Sequence, residues 1–373
     1  MSRRSSGEGS IIQRNDGRWQ ASLQLGGQRK TVYGKTRSEA LNKLKPLQEA
    51  AQKAHRLPSS PKLTLGEYLN DWLSQAAPRL RPKTWDRYEV VIRLHIIPQL
   101  GQVPLSQLSP LRLAQHYTAL SQTTGAPSIQ KTHRVLHKAL EDAARWGLVT
   151  SNVAALVDCP TAKPKERALW TPEQVAAFLN QMKSGKGGQY GWLFAFLLAS
   201  GCREGEALGL TWGDVNWDTA TVNIERQITT VRNKTIEQPC KTKAGHRIIT
   251  LPAWGLDVLR RQRAMVAQWR LRAGGSWQGG NRVFTTTTGS VPARSNIRRM
   301  FRATCKRLGL PLIRVHDLRH LHLSLLAMNG VPLKVAQQRA GHSTAAVTLN
   351  IYQHVLGDGD RLAAEALEKV MRP

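Results

Sequence analysis

The sequence predicts an α+β, multidomain protein: a small three-stranded sheet plus one helix, then an all-α domain, then a mainly α domain with a small antiparallel sheet. Three observations lead there. Hairpin turn signals crowd the first part of the chain, up to residue 57. Helical apolar spacing, broken by proline and glycine, fills the stretch from 61 to 160. Beyond a second linker, helical patterns return and enclose an alternating stretch near residue 221. A chain of 373 residues has room for two or three domains on the usual scale of about 150 residues each.

Residues 1–9 are rich in Ser, Arg and Gly and read as a flexible lead. Short strands start at Ser10, with Asn15-Asp16-Gly17 and Gly26-Gly27 as hairpin turns around alternating segments such as Trp19 to Leu23. Thr36 and Glu39 form a capping box. The helix after it runs to about His55, with Leu41, Leu44, Leu47 and Ala51 on one face. Leu57 to Pro61 is a linker. Thr64 and Glu67 open a further helix with a second capping box. More helices span Thr84 to Ile97, Pro110 to Leu120 and Ser128 to Trp146, separated by Pro98, Pro104 and Gly125. A second linker runs from Cys159 to Leu169. Thr171-Pro172-Glu173-Gln174 then combines an N-cap, a proline at the first helical position and a capping box. Trp192 to Ser200 is a buried helix stopped at Gly201, and Arg203 begins another. Thr221 to Ile228 alternates as a strand, and Lys241 to Ile249 reads as a hairpin turning at Ala244-Gly245. Helices resume at Trp254 and include Thr344 to Val355. The resulting domains are 1–57, 61–160 and 165–373.

Lys and Arg total 54 against 25 Asp and Glu, a formal net charge of +29. Few enzymes of neutral substrates carry such an excess, and a polyanion partner accounts for it, nucleic acid before a membrane surface. The basic residues are spread along the chain, which implies a long footprint rather than a basic tail. Cys159, Cys202, Cys240 and Cys305 are far apart, with no Cys-x-x-Cys pair, so neither a zinc site nor a disulfide framework is expected. The amino terminus lacks an apolar h-region, and the longest strongly apolar run, Trp192 to Ala199, is too short to span a bilayer. The expectation is a cytoplasmic, DNA-associated protein with no membrane partner.

The chemistry concentrates in the last domain. Arg203 stands in Gly-Cys-Arg-Glu-Gly-Glu, Lys241 in Cys-Lys-Thr-Lys, His316 and Arg319 in His-Asp-Leu-Arg-His, His342 in Ala-Gly-His-Ser and Tyr352 in Asn-Ile-Tyr-Gln-His. Guanidinium forks match phosphate oxygens in a bidentate way. A phenol becomes a useful nucleophile once a base or a cationic setting helps it ionise. Together these residues suit a phosphate attacked by tyrosine. His316 and Arg319, three apart, share a helix face, and Glu206 shares one with Arg203. Gly341 reads as a helix C-cap that leaves His342 on a loop. The polar neighbours Asn350, Gln353 and His354 place the Tyr352 phenol near an open face.

In this order the residues resemble the tyrosine recombinases, the phage-integrase family. The resemblance covers essentially the whole chain and is most specific from Arg203 to Tyr352. It implies that Arg203 and Arg319 clamp the non-bridging oxygens of the scissile phosphate and that His316 is a general base or a phosphate ligand. It implies that His342 donates to phosphate and that Tyr352 attacks to give a 3′-phosphotyrosyl intermediate, with Glu206 in support. Lys241 and Lys243 compete as the general acid; the family's lysine precedes Thr or Gly, which selects Lys241. His320 and His322 do not match the pattern and read as structural. Ala340 and Leu321 depart from the family's usual leucine and small hydroxyl residue without removing a catalytic group. No cofactor, metal or ATP is implied.

The first module resembles the arm-type DNA-binding domain of many integrases, the alternative being a solvated basic cap. The second resembles the family's core-binding domain, with Arg81, Lys83, Arg87, Lys131 and Arg134 as candidate DNA contacts. Arg81 and Lys83 sit at a helix start, where free backbone N–H groups favour phosphate. The implied activity is site-specific integration and excision of a phage or mobile element. The implied partners are double-stranded attachment sites, a homo-tetramer on synapsed DNA, and a host DNA-bending protein or an excision factor. A stripe of Leu362, Ala363, Ala366, Leu367 and Val370 after the Gly357/Gly359 hinge is a terminal amphipathic helix that either packs on its own domain or, as the resemblance implies, docks on a neighbouring subunit. The alternatives are a type IB topoisomerase-like nicking-closing enzyme and a non-catalytic DNA-binding relic.

Overall fold

The computed structural model describes residues 10–14, 16–25, 28–54, 63–161, 169–232, 234–240 and 242–355, with isolated positions at 364, 367, 368 and 371. The chain divides into two compact units, Met1–Pro164 and Lys165–Pro373. The first linker falls outside the described residues, as do most of the second and most of the terminal stripe. Of that stripe, Leu367 is described and is exposed.

The first unit opens with an antiparallel sheet of β1 (Ser10–Gln13), β2 (Trp19–Leu25) and β3 (Gln28–Gly34), with Trp19 opposite both Gln13 and Gly34. Gly17, at φ +81°, makes the first turn. Helix α1 (Arg37–Ala54) covers the sheet. Ala21, Ala40 and Leu44 form a small core with Ile11, Trp19 and Val32 against it. Leu44 is buried as expected, but Leu41 is exposed and Ala40 is buried in its place. The cause is a close approach: a Cβ on Gly34 would lie 2.5 Å from the Ala40 nitrogen, so the end of β3 abuts the first turn of α1. The side chains of Leu47 and Ala51 lie outside the described residues.

Next come α2 (Leu65–Ala76), α3 (Pro82–Val91), α4 (Ile97–Leu100), α5 (Pro110–Ser121) and α6 (Ala126–Arg145). The Thr64–Glu67 capping box is present at the start of α2. Gly66 and Gly101 meet backbone to backbone, the Gly66 N–H donating to the Gly101 carbonyl at 2.9 Å. Trp72 lies in the core and donates its indole N–H to Asp142 at 2.9 Å. Pro98 does not end the third helical stretch as expected. A π-turn over Ile92–Ile96 joins α3 to α4. Pro98 falls in the first turn of α4, where a missing N–H removes nothing.

The second unit begins with α7 (Pro172–Lys183), capped by the Thr171–Gln174 box. In α8 (Gly191–Ser200) every residue but Trp192 is buried, as its all-round apolar sequence requires. Gly201, at φ +64°, stops it. Then follow α9 (Glu204–Gly209), β4 (Val215–Asn216), β5 (Thr221–Ile224), β6 (Arg226–Val231), β7 (Lys234–Pro239) and β8 (Arg247–Thr250). The last four helices that matter to the site are preceded by α10 (Ala253–Ala273); they are α11 (Arg294–Arg307), α12 (Asp317–Met328), α13 (Leu333–Ala340) and α14 (Ala345–Val355).

Two expectations about the strands are corrected. The stretch from 221 to 228 is two strands parted at Glu225: β5 pairs with β4 and β8, and β6 pairs with β7 as a separate ribbon. Residues 242–246 are therefore not a hairpin of their own. They carry the chain from the ribbon back to β8, which pairs with β5 from Thr221↔Thr250 to Ile224↔Arg247. Alternation alone cannot show which of several apolar segments will pair.

Candidate active site

The site is built on the turn that ends α8. Gly201 reverses the chain and sets Arg203 as N-cap of α9. Glu206, at the third helical position, accepts the Arg203 backbone N–H at 2.9 Å and its guanidinium Nη1 at 2.7 Å. Glu206 is 3% exposed and has a second cationic partner, Arg247 Nη2 at 2.9 Å. Burial opposes its ionisation, but Arg247 and Arg203 hold the carboxyl below its ordinary pKa. Arg203 is thus fixed by its own capping box, while its Nη2 donates to the carbonyl of Gly341 at 3.0 Å.

Arg319 enters from the first turn of α12. It is 3% exposed, and its Nη1 donates to the Gly201 carbonyl at 2.8 Å. Its Nη2 is buried and has no hydrogen-bond partner among the described residues. Burial first, then the charge of Arg203, pulls its pKa down to about 9. Gly341, at φ +66°, ends α13 as the sequence predicts. A Cβ there would lie 2.7 Å from the Ala244 carbonyl and 2.9 Å from Arg247 Nη1, so only glycine lets the two loops close up. His342 follows, its Nδ1 2.8 Å from the Thr348 hydroxyl. Burial, then Arg319, Arg203 and His320, push its pKa down to about 3, so it is neutral in the free protein.

His316 caps α12 at the exposed edge of the cluster, with the His320 ring edge-on at 5.1 Å. The surrounding protein, followed by His320, Arg319 and Arg314, lowers its pKa to about 4. The His320 ring thus lies against His316. His322 is structural, as expected. Its Nδ1–H donates to the Leu198 carbonyl at 2.8 Å and its Nε2 accepts from Arg339 at 3.0 Å, which fixes the neutral tautomer. Among the described residues no group of three His, Cys, Asp or Glu could hold a metal ion.

Tyr352 differs from expectation. It is 7% exposed, in a small core with Leu323, Ala327, Ala336 and Ala340, and its hydroxyl donates to the Val331 carbonyl at 3.0 Å. Burial raises its pKa. Polar neighbours in the sequence pointed to an open face, but Thr348, one turn earlier, is fully buried and the two make one inward stripe. Arg203, Glu206, Arg319 and His342 thus form one cluster with His316 at its edge, whereas the phenol oxygen is committed to a backbone carbonyl.

Lys241 lies outside the described residues, as does the side chain of Lys243. Two arginines that the sequence reading missed brace the site. Arg247 reaches Glu206, the Gly245 carbonyl at 2.9 Å and the Arg339 carbonyl at 2.7 Å. Arg339 reaches the carbonyls of Thr250 and Ala199. In the first unit, Arg81 is the N-cap of α3, and Arg81, Lys83 and Arg87 are exposed. Lys131 and Arg134 are exposed on α6, away from buried Ile129, Thr132, Val135 and Leu136. Among the described residues no helix is long and apolar enough to cross a membrane.

A mainly helical unit that gathers two arginines and a histidine around an unpaired guanidinium nitrogen, with a tyrosine on the next helix, defines an enzyme class of tyrosine-dependent DNA strand transfer. Residues 169–357 match the phage integrase family profile, and residues 64–121 match that of the phage integrase N-terminal SAM-like domain. The integrase of Streptomyces ambofaciens is 30% identical over 367 residues, 94% of this chain and 93% of that one. The chain belongs to the phage integrase family and is a site-specific tyrosine recombinase. Two solved structures share the fold. The Tn1549 transposon integrase in complex with transposon right end DNA is 21% identical, with a TM-score of 0.69 over 82% of this chain and 100% of that one. The lambda integrase tetramer bound to a Holliday junction is 18% identical, with a TM-score of 0.59 over 90% and 96%.

Proposed function

We propose that this recombinase cuts and rejoins DNA attachment sites through a 3′-phosphotyrosyl ester on Tyr352, with Arg203, Arg319 and His342 as the clamp on the scissile phosphate. The observation that carries the reading is the buried, unpartnered Nη2 of Arg319. An unsatisfied charged donor away from water is costly, and a phosphate oxygen is the partner that would complete it. Negative charge grows on the non-bridging oxygens in the transition state, where preorganised donors act most strongly. The depressed pKa of His342 fits this reading: burial lowers it first, the charges of Arg319 and Arg203 lower it further, and a phosphate that offsets those charges would let His342 donate to the bound group. His316 serves as base toward the phenol or as a further phosphate ligand, and Glu206 holds Arg203. Lys241 protonates the leaving 5′-oxygen. Tyr352 leaves Val331 before it attacks. The cycle calls on no cofactor.

The division into 1–57, 61–160 and 165–373 gives three DNA-facing parts. The first module reads as an arm-site binder and the helical domain as a core-site binder, through Arg81, Lys83, Arg87, Lys131 and Arg134. The assembly is a homo-tetramer on two synapsed duplexes, by analogy with the lambda integrase tetramer on its junction. The setting is the cytoplasm of a bacterial host, the cargo a phage or mobile element, and a host DNA-bending protein or excision factor the accessory partner. The decisive experiment supplies paired plasmids carrying the direct repeats that bound the element. Strand exchange between them is the expected result; relaxation of one plasmid without exchange would place the enzyme with nicking-closing topoisomerases. A fragment of residues 1–57 should bind duplex DNA at low salt, with an affinity that falls steeply as salt rises. Absence of binding would leave the module as a basic cap.

A further inference from the structure

His342 is held by helices on both sides. Its backbone belongs to the end of α13: the N–H donates to the Gln337 carbonyl at 3.1 Å, and the carbonyl accepts from the Gln337 side-chain amide at 3.2 Å. Its ring belongs to α14, through the 2.8 Å contact between Nδ1 and the Thr348 hydroxyl. Thr348 is fully buried, one turn before Tyr352. Its hydroxyl has no other hydrogen-bond partner among the described residues, and the Nε2 of the ring has none. His342 is neutral in the free protein. A neutral imidazole carries one proton, so the contact can be made in two ways. In one, Nδ1–H donates to the hydroxyl oxygen. The hydroxyl proton is then buried without an acceptor, and Nε2 presents a lone pair. In the other, the hydroxyl donates to Nδ1, and Nε2 carries the proton. A buried donor without a partner is costly, which favours the second arrangement. It is also the one in which a neutral His342 can donate to phosphate through its free nitrogen.

We propose that Thr348 is a positioning residue for the phosphate clamp: its hydroxyl donates to Nδ1 of His342, keeps the ring proton on Nε2, and so makes the neutral imidazole a donor to the scissile phosphate. The proposal rests on the reading of His342 as a clamp residue. The partner of one ring nitrogen sets what the other can do, as it does for histidines that bind metals or move protons. Because Thr348 stands on α14, the helix that carries the nucleophile also sets the donor. The clamp is complete only while the start of α14 is seated against His342; with Thr348 withdrawn, the ring can take either tautomer.

The first test needs no change at Thr348. Full-length protein with nitrogen-15 in its histidine rings gives long-range proton–nitrogen spectra that tell the two tautomers apart, and the His342 signals are those that His342→Ala removes. At neutral pH the proton should be on Nε2, with Nδ1 bare. The opposite pattern would overturn the proposal. The second test measures covalent complex formation on a saturating suicide substrate by Thr348→Val, Thr348→Ser, His342→Ala and the double variant Thr348→Val/His342→Ala. His342→Ala should lose roughly 10²-fold in rate, the usual loss for one preorganised donor. Thr348→Val keeps the branched shape without the hydroxyl and should lose roughly tenfold, the effect of about one hydrogen bond. Thr348→Ser keeps the hydroxyl and should stay within about twofold of the unsubstituted protein. In the His342→Ala background, Thr348→Val should change the rate less than about twofold, because its partner is gone. An equal loss in both backgrounds would overturn the proposal, since Thr348 would then act through the packing of α14 alone. So would a full rate for Thr348→Val beside a slow His342→Ala. A full rate for His342→Ala would instead refute the reading of His342 itself.

Discussion

The arginine cluster and the tyrosine pocket stand on adjoining elements of one unit but are built by opposite means. The cluster is cross-braced: Glu206 holds two guanidinium groups, and Arg203, Arg247 and Arg319 each take a backbone carbonyl from a distant segment. The tyrosine is held by a few small apolar side chains and one hydrogen bond to Val331. Fixed donors need no reorganisation when charge develops, so rigidity is useful in the clamp. A nucleophile that must reach phosphorus gains nothing from being fixed elsewhere, and its light tether is consistent with a group that has to move.

Substitutions can break this contrast. The largest effect belongs to Tyr352→Phe, which removes the attacking oxygen and leaves the apolar ring in place. No covalent complex should form on a nicked suicide substrate run on a denaturing gel, while gel-shift affinity stays within about twofold, on the order of 0.4 kcal/mol. An adduct with this variant would show that another residue attacks. Arg319→Ala comes next. It removes both the bond to Gly201 and the free Nη2, and cleavage should fall roughly 10²–10³-fold, the usual loss for one preorganised donor. Arg319→Lys should recover little of this, since an ammonium cannot hold Gly201 and phosphate in the same fork geometry.

Smaller changes sharpen it. Leu323→Val trims the tyrosine pocket and should cost about 1 kcal/mol of stability in a denaturant melt. Unlike the cluster substitutions, it should leave the rate of covalent complex formation on saturating DNA equal or higher. A drop in rate as steep as that of Arg319→Ala would mean that the pocket itself is part of the reacting geometry. The last test turns on pH. His342 has a pKa of about 3 in the folded protein against about 6.5 unfolded. Below pH 6.5 the unfolded chain therefore takes up a proton that the folded one refuses, and stability falls as pH drops toward 4. The slope from this group is about 1.4 kcal/mol per pH unit. His342→Gln should make the melting temperature less steeply dependent on pH between 6.5 and 4, with little change at pH 7.5.

Much of this was legible in the chain itself. The two stops at Gly201 and Gly341 and the capping boxes at Thr64 and Thr171 depend on local rules, which can be read from neighbours, whereas the ordered set from Arg203 to Tyr352 was read from its resemblance to a family. Arg247 was hidden because its strand reads Arg-Ile-Ile-Thr. Either isoleucine could face inward, and only the pairing with β5 turns Ile249 in, Ile248 out and Arg247 toward Glu206. The β6–β7 ribbon was hidden for a related reason, since nothing at Glu225 announces that one alternating stretch serves two sheets. The inward turn of Tyr352 depends on the packing of α12 and α13 beneath it, which polar neighbours in sequence do not report.

The bonds that shape the clamp join residues far apart in the chain: Gly201 to Arg319 across 118 positions, Arg203 to Gly341 across 138, Arg247 to Arg339 across 92. Contacts of such long range form only after the intervening chain has been gathered, because loop closure must come before they are rewarded. A polypeptide still emerging from the ribosome carries nearly all of its positive charge before Gly341 is made. It can therefore meet DNA as a polycation well before it can hold a phosphate in a reactive geometry.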